Sequence, residues 1–77
     1  MPTYFQIIAS PKHHERQLYD FSCSDWRPES HCDGEHQSYA SRPDAERDLP
    51  DAIRKWGDTA GLANIRIDEI NFSPDDD

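Results

Sequence analysis

Apolar residues alternate with polar ones near the start of the chain and again near its end. Residues 4–10 form an apolar, β-prone run between Pro2 and Pro11, and residues 16–23 alternate after a short polar turn. Alternation with a period of two is typical of strands that bury one face. We therefore expect residues 4–10 and 16–23 to form a β-hairpin, with the first strand in a central position.

A polar stretch follows the predicted hairpin. Residues 24–36 are punctuated by Pro28 and Gly34, as loops commonly are. We expect a long loop here, anchored to the core by Trp26, and a short third strand at residues 37–40. Long ordered loops are often functional, which makes this one a candidate partner surface.

Two positions compete for the start of a helix. Ser41 is followed three residues later by Asp44, an arrangement that resembles a capping box. Asp48 is followed three residues later by Asp51 in the same way. Either serine or aspartate is a favourable N-cap, so capping alone leaves both starts open.

Pro50 favours the later start. Proline is tolerated in the first turn of a helix, where its missing N–H has no partner in any case. The sequence therefore favours a main helix that begins at Leu49, preceded by a short helical turn at residues 43–47. A single kinked helix from Pro43 is the alternative.

The helix carries one apolar face and ends near a glycine. Leu49, Ile53, Trp56 and Ala60 are spaced by four, three and four residues, which places them on one side. Gly61 follows, and glycine is the usual residue just past a helix C-terminus. We therefore expect the helix to end at Gly61.

A closing strand follows the helix, but its alternation slips by one residue. Ile65 and Ile67 share one face, whereas Ile70 and Phe72 are out of phase with them. A β-bulge at residues 68–69 would bring all four side chains to one face. The alternative is a strand that ends at the first residue of that pair.

These elements predict an α+β fold in the order β-β-(β)-α-β. We expect a small antiparallel sheet of three to four strands with one main helix packed on one face. Seventy-seven residues suit a single domain, which we place at residues 1–72. Residues 73–77 form an acidic tail that we expect to be frayed.

No segment approaches the roughly 20 apolar residues that a membrane span needs, and no secretory signal is evident. These observations predict a cytoplasmic protein without a membrane partner. In a reducing compartment Cys23 and Cys32 are expected to be thiols, although a disulfide that closes the loop between them is an alternative.

The net charge of −8 arises from sixteen acids against eight Lys and Arg residues. It is unevenly spread, because residues 1–24 are neutral whereas residues 25–41 hold four acids and one Arg. Phosphate contact needs a basic patch, so we expect no direct binding of nucleic acid. A protein with a basic surface is the expected partner.

The candidate partner-binding residues are the acids of the loop and of the start of the helix. Such acids could lie along one edge and mimic a phosphate backbone, or serve solubility alone. They are Asp25, Glu29, Asp33, Glu35, Asp44, Glu46, Asp48 and Asp51.

A zinc site is the main chemical alternative. Cys23, His31, Cys32 and His36 are zinc-ligand types, and Cys32 and His36 are four residues apart, but the adjacent His31 and Cys32 would strain a shared tetrahedron. We therefore predict no metal site and no cofactor. No nucleophile, phosphate-binding glycine loop or paired carboxylates can be identified, so no enzyme is predicted either.

In type, the chain resembles the small acidic inhibitors made by phages and mobile elements, in particular anti-CRISPR proteins. The likeness lies in size, acidity, the lack of a catalytic motif, and the strand–helix–strand arrangement of residues 16–23, 49–60 and 65–72. It implies a non-enzymatic inhibitor that binds a nuclease or CRISPR-Cas complex and blocks its nucleic-acid site, as a monomer or small homo-oligomer. A zinc module and a general protein-interaction domain are the alternatives.

Overall fold

The computed structural model describes residues 3–32 and 35–71. The elements are β1 (Thr3–Ala9), β2 (Gln17–Asp20), β3 (Asp25–Pro28), a 3-10 turn (Glu29–His31), α1 (Arg42–Trp56), a second 3-10 turn (Ala60–Leu62) and β4 (Arg66–Asn71). The four strands form one antiparallel sheet in the order β3-β2-β1-β4, and α1 packs against it. The predicted α+β class and element order are confirmed.

The third strand lies earlier in the chain than the sequence suggested. β3 pairs with β2 along four residues inside the stretch expected to be a loop. Residues 37–40, expected to be the strand, contribute an isolated bridge, in which Phe5 and Tyr39 exchange backbone hydrogen bonds of 2.9 and 2.7 Å. The sequence indicates that Trp26 reaches the core, but a strand can place its side chain there as well as a loop can. The position of Trp26 therefore does not distinguish a loop from a strand.

β1 is the central strand, as predicted, but its two edges are used differently. Every residue from Thr3 to Ile8 pairs with β4. On the other edge, only Ile8 and Ala9 pair with β2, at Leu18 and Gln17. Farther along that edge the bridge to Tyr39 takes the place of β2.

β4 runs straight, without the expected bulge. Each residue from Arg66 to Asn71 pairs in turn with β1, so neither a bulge at 68–69 nor an end at Asp68 is correct. Ile67 therefore faces the helix and Ile70 faces the opposite side of the sheet. That side also buries apolar residues, since Ile8 is fully buried there, so Ile70 needs no bulge to find apolar neighbours. Phe72 lies outside the described residues, as does the predicted tail.

The helix begins at the earlier of the two candidate positions. Ser41 is the N-cap, and its hydroxyl accepts a hydrogen bond of 3.4 Å from the Asp44 N–H. The helix continues through Pro50, so the predicted start at Leu49 is wrong. Pro50 has no N–H to donate to the Glu46 carbonyl, but both residues are exposed and water can bond there.

Two alanines explain why the helix starts early. Ala45 and Ala52 are fully buried, and Leu49 between them packs on the same core. Their spacing of four and three residues extends the apolar face past Pro50 toward the N-terminus. Burial of Ala45 requires the turn before Pro50 to be helical.

Aromatic rings fill the space between α1 and the sheet. The Trp26 indole N–H donates to the Ala52 carbonyl at 2.8 Å, and its ring contacts those of Trp56 and Tyr19 edge-on, with centroids 5.1 and 5.6 Å away. The predicted core face was partly wrong, since Ile53 is 41% exposed.

Gly57, rather than Gly61, ends the helix, and Ala60 lies beyond it. Gly57 has φ 100° and ψ −156°, and its N–H bonds the Ile53 carbonyl at 3.3 Å. This backbone conformation is almost exclusive to glycine. Gly61 lies in the second 3-10 turn instead.

Replacing the two glycines distinguishes these roles. We expect Gly57→Ala to lower the free energy of unfolding by about 1–3 kcal/mol, because alanine is strained at that φ. Gly61→Ala is the matched control: its added methyl group meets open space, so its effect should stay within about 0.5 kcal/mol. Urea denaturation measures both. Equal losses would contradict the assignment of the helix end.

Candidate functional site

One side of α1 carries a row of carboxylates. Asp44, Asp48 and Asp51 are spaced by four and three residues and therefore project from the same side. That side faces β2 and the segment before the helix, since Asp48 accepts a hydrogen bond of 2.9 Å from the Tyr39 hydroxyl. The tyrosine thus fixes the central carboxylate of the row.

Tyr39 is suited to act as a permanent donor. Burial raises the pKa of its hydroxyl well above the ordinary value, and the bond to Asp48 and the negative charge of Asp48 raise it further. The hydroxyl therefore stays protonated throughout the physiological range, and its bond to Asp48 persists.

Tyr19 on β2 lies within reach of the charges on this side of α1. Burial raises the pKa of the Tyr19 hydroxyl, while a hydrogen bond with Ser24 opposes that effect. The charges of Asp48 and Asp51, and that of Asp25 on β3, raise this pKa further. We call Asp44, Asp48 and Asp51 the acidic row.

Arginines on the exposed side of α1 partly neutralise the acidic row. Arg47 pairs with Asp44 at 3.3 Å, and Arg54 pairs with Asp51 at 3.1 Å. The two arginine side chains are 76% and 79% exposed, and such ion pairs contribute about 0–1 kcal/mol each. These weak pairs can be exchanged for cations of a partner.

A groove opens between the acidic row and the turn after β2. Its volume is about 430 Å³, and Phe21 on its rim is 39% exposed. The groove combines an aromatic ring with carboxylates, the two chemistries that receive a guanidinium group. Its lining residues are Phe21, Ser38, Tyr39, Ala40, Asp44, Arg47 and Asp48.

A buried polar pair holds the turn that carries Phe21. The Asp20 carboxylate accepts hydrogen bonds from the backbone N–H and the hydroxyl of Ser22, and from the Gln37 amide at 2.7 Å. Asp20 is 4% exposed and Gln37 is 2% exposed. This contact could not be predicted from the sequence, because the two residues are seventeen positions apart and neither belongs to a motif.

The hydrogen bonds decide the protonation state of Asp20. Burial opposes its ionisation, but the bonds from Ser22, Gln37 and the Cys23 backbone outweigh that penalty, and its pKa is lowered. Asp20 is therefore a stable anion that organises the turn.

The other predicted partner-binding residues are not part of the acidic row. Glu29 pairs with Arg16 at 2.6 Å in the first 3-10 turn. Glu46 is exposed on another side of α1, and Glu35 is exposed in the segment between the first 3-10 turn and α1. Asp33 lies outside the described residues. Asp25 directly precedes Trp26 on β3, and since neighbouring side chains of a strand project from opposite faces, Asp25 points away from α1. The structure thus brings together three of the eight acids.

The two cysteines have different contacts. Cys23 and Cys32 form no disulfide, so the predicted alternative of a bond between them is wrong. The Cys23 thiol donates to the Asp20 carbonyl at 3.8 Å, and the Cys32 thiol donates to the Pro28 carbonyl at 3.2 Å. Within residues 3–32 and 35–71, no three His, Cys, Asp or Glu residues are grouped so that they could hold a metal ion.

No protein-family model, curated protein or solved structure matches this chain. In the part of the chain that the structure describes, no helix is both long and apolar enough to cross a membrane.

Acid titration tests the role of Asp20. Because its pKa is lower folded than unfolded, Asp20 stabilises the fold above pH of about 4, and this contribution is lost as the pH falls through the folded pKa. We expect Asp20→Asn to unfold more easily at pH 7 and to lose less stability between pH 5 and about 2 than the parent protein. Thermal unfolding across this range measures the difference. Asp58→Asn, an exposed site, is the control, and an acid dependence unchanged by Asp20→Asn would contradict the assignment.

Removal of one hydroxyl tests the bond that fixes Asp48. We expect Tyr39→Phe to lower the free energy of unfolding by about 1–2 kcal/mol, because hydrogen bonds to charged groups contribute more than neutral ones. Tyr4→Phe is the matched control, since no described residue bonds that hydroxyl. Urea denaturation at pH 7 compares the two, and similar losses would argue against a special role for the bond between Tyr39 and Asp48.

Proposed function

We propose that this chain is a non-enzymatic binding protein that inhibits or regulates a protein partner by covering a basic surface with the acidic row. The supporting observation is the row of three carboxylates on one side of α1, whose central member, Asp48, is held by the Tyr39 hydroxyl. A rigid helix positions these charges, so they are already arranged before a partner arrives.

The acidic row is a linear array of negative charge, as the phosphate backbone of nucleic acid is. Asp44, Asp48 and Asp51 span about 10.5 Å along the helix axis at about 1.5 Å per residue. A surface that binds nucleic acid carries cations placed along such a backbone, so it is the kind of surface that can receive the row. The proposed partner surface is therefore the nucleic-acid site of a nuclease, such as that of a CRISPR-Cas complex.

The net charge of −8 supports the same proposal through association kinetics. Opposite net charges accelerate encounter, and the effect weakens as salt screens it. At the contact itself, partner cations compete with Arg47 and Arg54 for Asp44 and Asp51. The exchange costs little, because both existing pairs are exposed.

Salt and charge variants test the proposal once a partner has been captured from cells that carry the gene. We expect affinity for the purified partner to fall at least about tenfold between low and high salt, because salt screens the charges of the acidic row and of the residues around it. Asp44→Asn with Asp51→Asn should weaken binding about tenfold at low salt. Isothermal titration calorimetry measures both effects.

The matched control removes the same charge from other sites near α1. Glu46→Gln with Asp58→Asn changes the net charge equally, and both residues are exposed. We expect this variant to bind within about twofold of the parent protein. An affinity that does not change with salt concentration, or an equal loss of affinity in the two double variants, would rule out binding through the acidic row.

A further inference from the structure

The two edges of the sheet differ in what they offer to another chain. β3 spans four residues, ends in Pro28, which has no N–H, and has the Cys32 thiol against the carbonyls of Arg27 and Pro28 at 3.7 and 3.2 Å. β4 spans six residues and pairs fully with β1 on its inner side. Among residues 3–32 and 35–71, none pairs with its outer side. β4 is therefore the edge that can accept a strand.

The hydrogen-bonding groups of that outer edge can be assigned. Phe5 uses both its N–H and its carbonyl on Tyr39, on the side away from β4. In an antiparallel ladder the bonding direction alternates along the strand, so Phe5 and its partner Glu69 form a non-hydrogen-bonded pair. The N–H and carbonyl of Glu69 therefore point outward. By the same alternation, so do those of Ile67 and Asn71.

The side chains along β4 define which strand would fit. Asp68 and Glu69 are adjacent and project from opposite faces of the sheet, and Ile67 and Ile70 flank them. Directly opposed residues of opposite charge favour pairing, whereas like charges disfavour it. The complementary segment carries two consecutive basic residues between two aliphatic ones.

A groove on the helix side of this edge adds an apolar contact. It has a volume of about 330 Å³ and includes Ile53, which is 41% exposed, and Ile65, which directly precedes β4. A residue paired with Ile67 shares the helix side of the sheet and lies beside this groove. Strand addition typically combines backbone bonds with such contacts for alternate side chains.

We infer that β4 is a docking edge for an extended segment of a partner protein with the pattern aliphatic–basic–basic–aliphatic, which joins the sheet as a fifth, antiparallel strand. The inference does not depend on the acidic row, because β4 and the row lie on different sides of the molecule. A second copy of this chain fits less well, since two-fold symmetric pairing through the outward groups of Ile67, Glu69 and Asn71 sets Glu69 against the same residue of the second copy.

A synthetic peptide tests the inference directly. The probe is the capped hexapeptide Thr-Val-Lys-Lys-Val-Thr, titrated into the full chain and followed by NMR. We expect saturable shifts in β4 and slower hydrogen exchange at the N–H groups of Ile67, Glu69 and Asn71, without slower exchange at Asp68. The same peptide with Glu-Glu in the centre should not bind. Binding by both peptides, or unchanged exchange at those three groups, would overturn the inference.

Two variants at Glu69 distinguish the contribution of backbone hydrogen bonds to binding from that of charge. Glu69→Pro and Glu69→Gln both remove the carboxylate, but only proline removes the outward N–H, and proline is tolerated on an edge strand when that N–H faces solvent. We expect Glu69→Gln to weaken binding about two- to fivefold, and Glu69→Pro to weaken it at least tenfold. Equal affinities of the two variants would refute pairing through the backbone.

The peptide supplies a test that does not rely on the fold of Glu69→Pro. N-methylation at alternate residues blocks one edge of the peptide, so one alternating pattern should abolish binding and the other should retain it. Equal binding by the two patterns would contradict strand addition. Asp44→Asn with Asp51→Asn should bind the peptide as the parent chain does, which separates this edge from the acidic row. A dimer of the chain alone that Glu69→Pro breaks and Glu69→Gln retains would assign the edge to a second copy and overturn the inference.

Discussion

The close approach of α1 to the sheet is the constraint on which the rest of the structure depends. Ala45 and Ala52 have no side chain beyond Cβ, so the helix backbone comes near enough for the Trp26 indole to bond the Ala52 carbonyl. In a chain of this length the core is thin, and Tyr39 and the rings of β1, β2 and β3 supply much of its volume. The same approach brings one side of α1 over Tyr19 and Tyr39, and so places its carboxylates beside β3.

Residues 36–39 link this packing to the candidate site. They pass beside β1 where β2 has diverged, and the bridge of Tyr39 to Phe5 places the tyrosine hydroxyl beneath Asp48. Gln37 in the same segment bonds Asp20 and so supports the turn that carries Phe21. One short segment without regular secondary structure therefore positions two sides of the groove. Its contribution comes from one β-bridge and from side-chain hydrogen bonds rather than from a strand of its own.

The fold class and the positions of β1, β2 and β4 could be predicted because alternation marks strands locally. The helix start could not, since Pro50 is a local signal and the burial of Ala45 is a tertiary one. The bulge was inferred from the expectation that all isoleucines share a face, which fails in a sheet that buries side chains on both sides. Of the acids, Asp44, Asp48 and Asp51 could be grouped by helical spacing. The separation of Asp25 from them could not be predicted, because its orientation depends on the pairing of β3 with β2.

The pairing of β1 with β4 has a consequence for how the chain acquires its structure during synthesis. β1 leaves the ribosome before every other element, yet its most extensive partner is the last strand to be translated. Until Asn71 has been translated, one edge of β1 has no partner strand, and α1 lacks part of the sheet surface on which it packs. Cooperative closure of the sheet must therefore wait until β4 has been translated, and until then the open edge of β1 is exposed to chaperones and proteases.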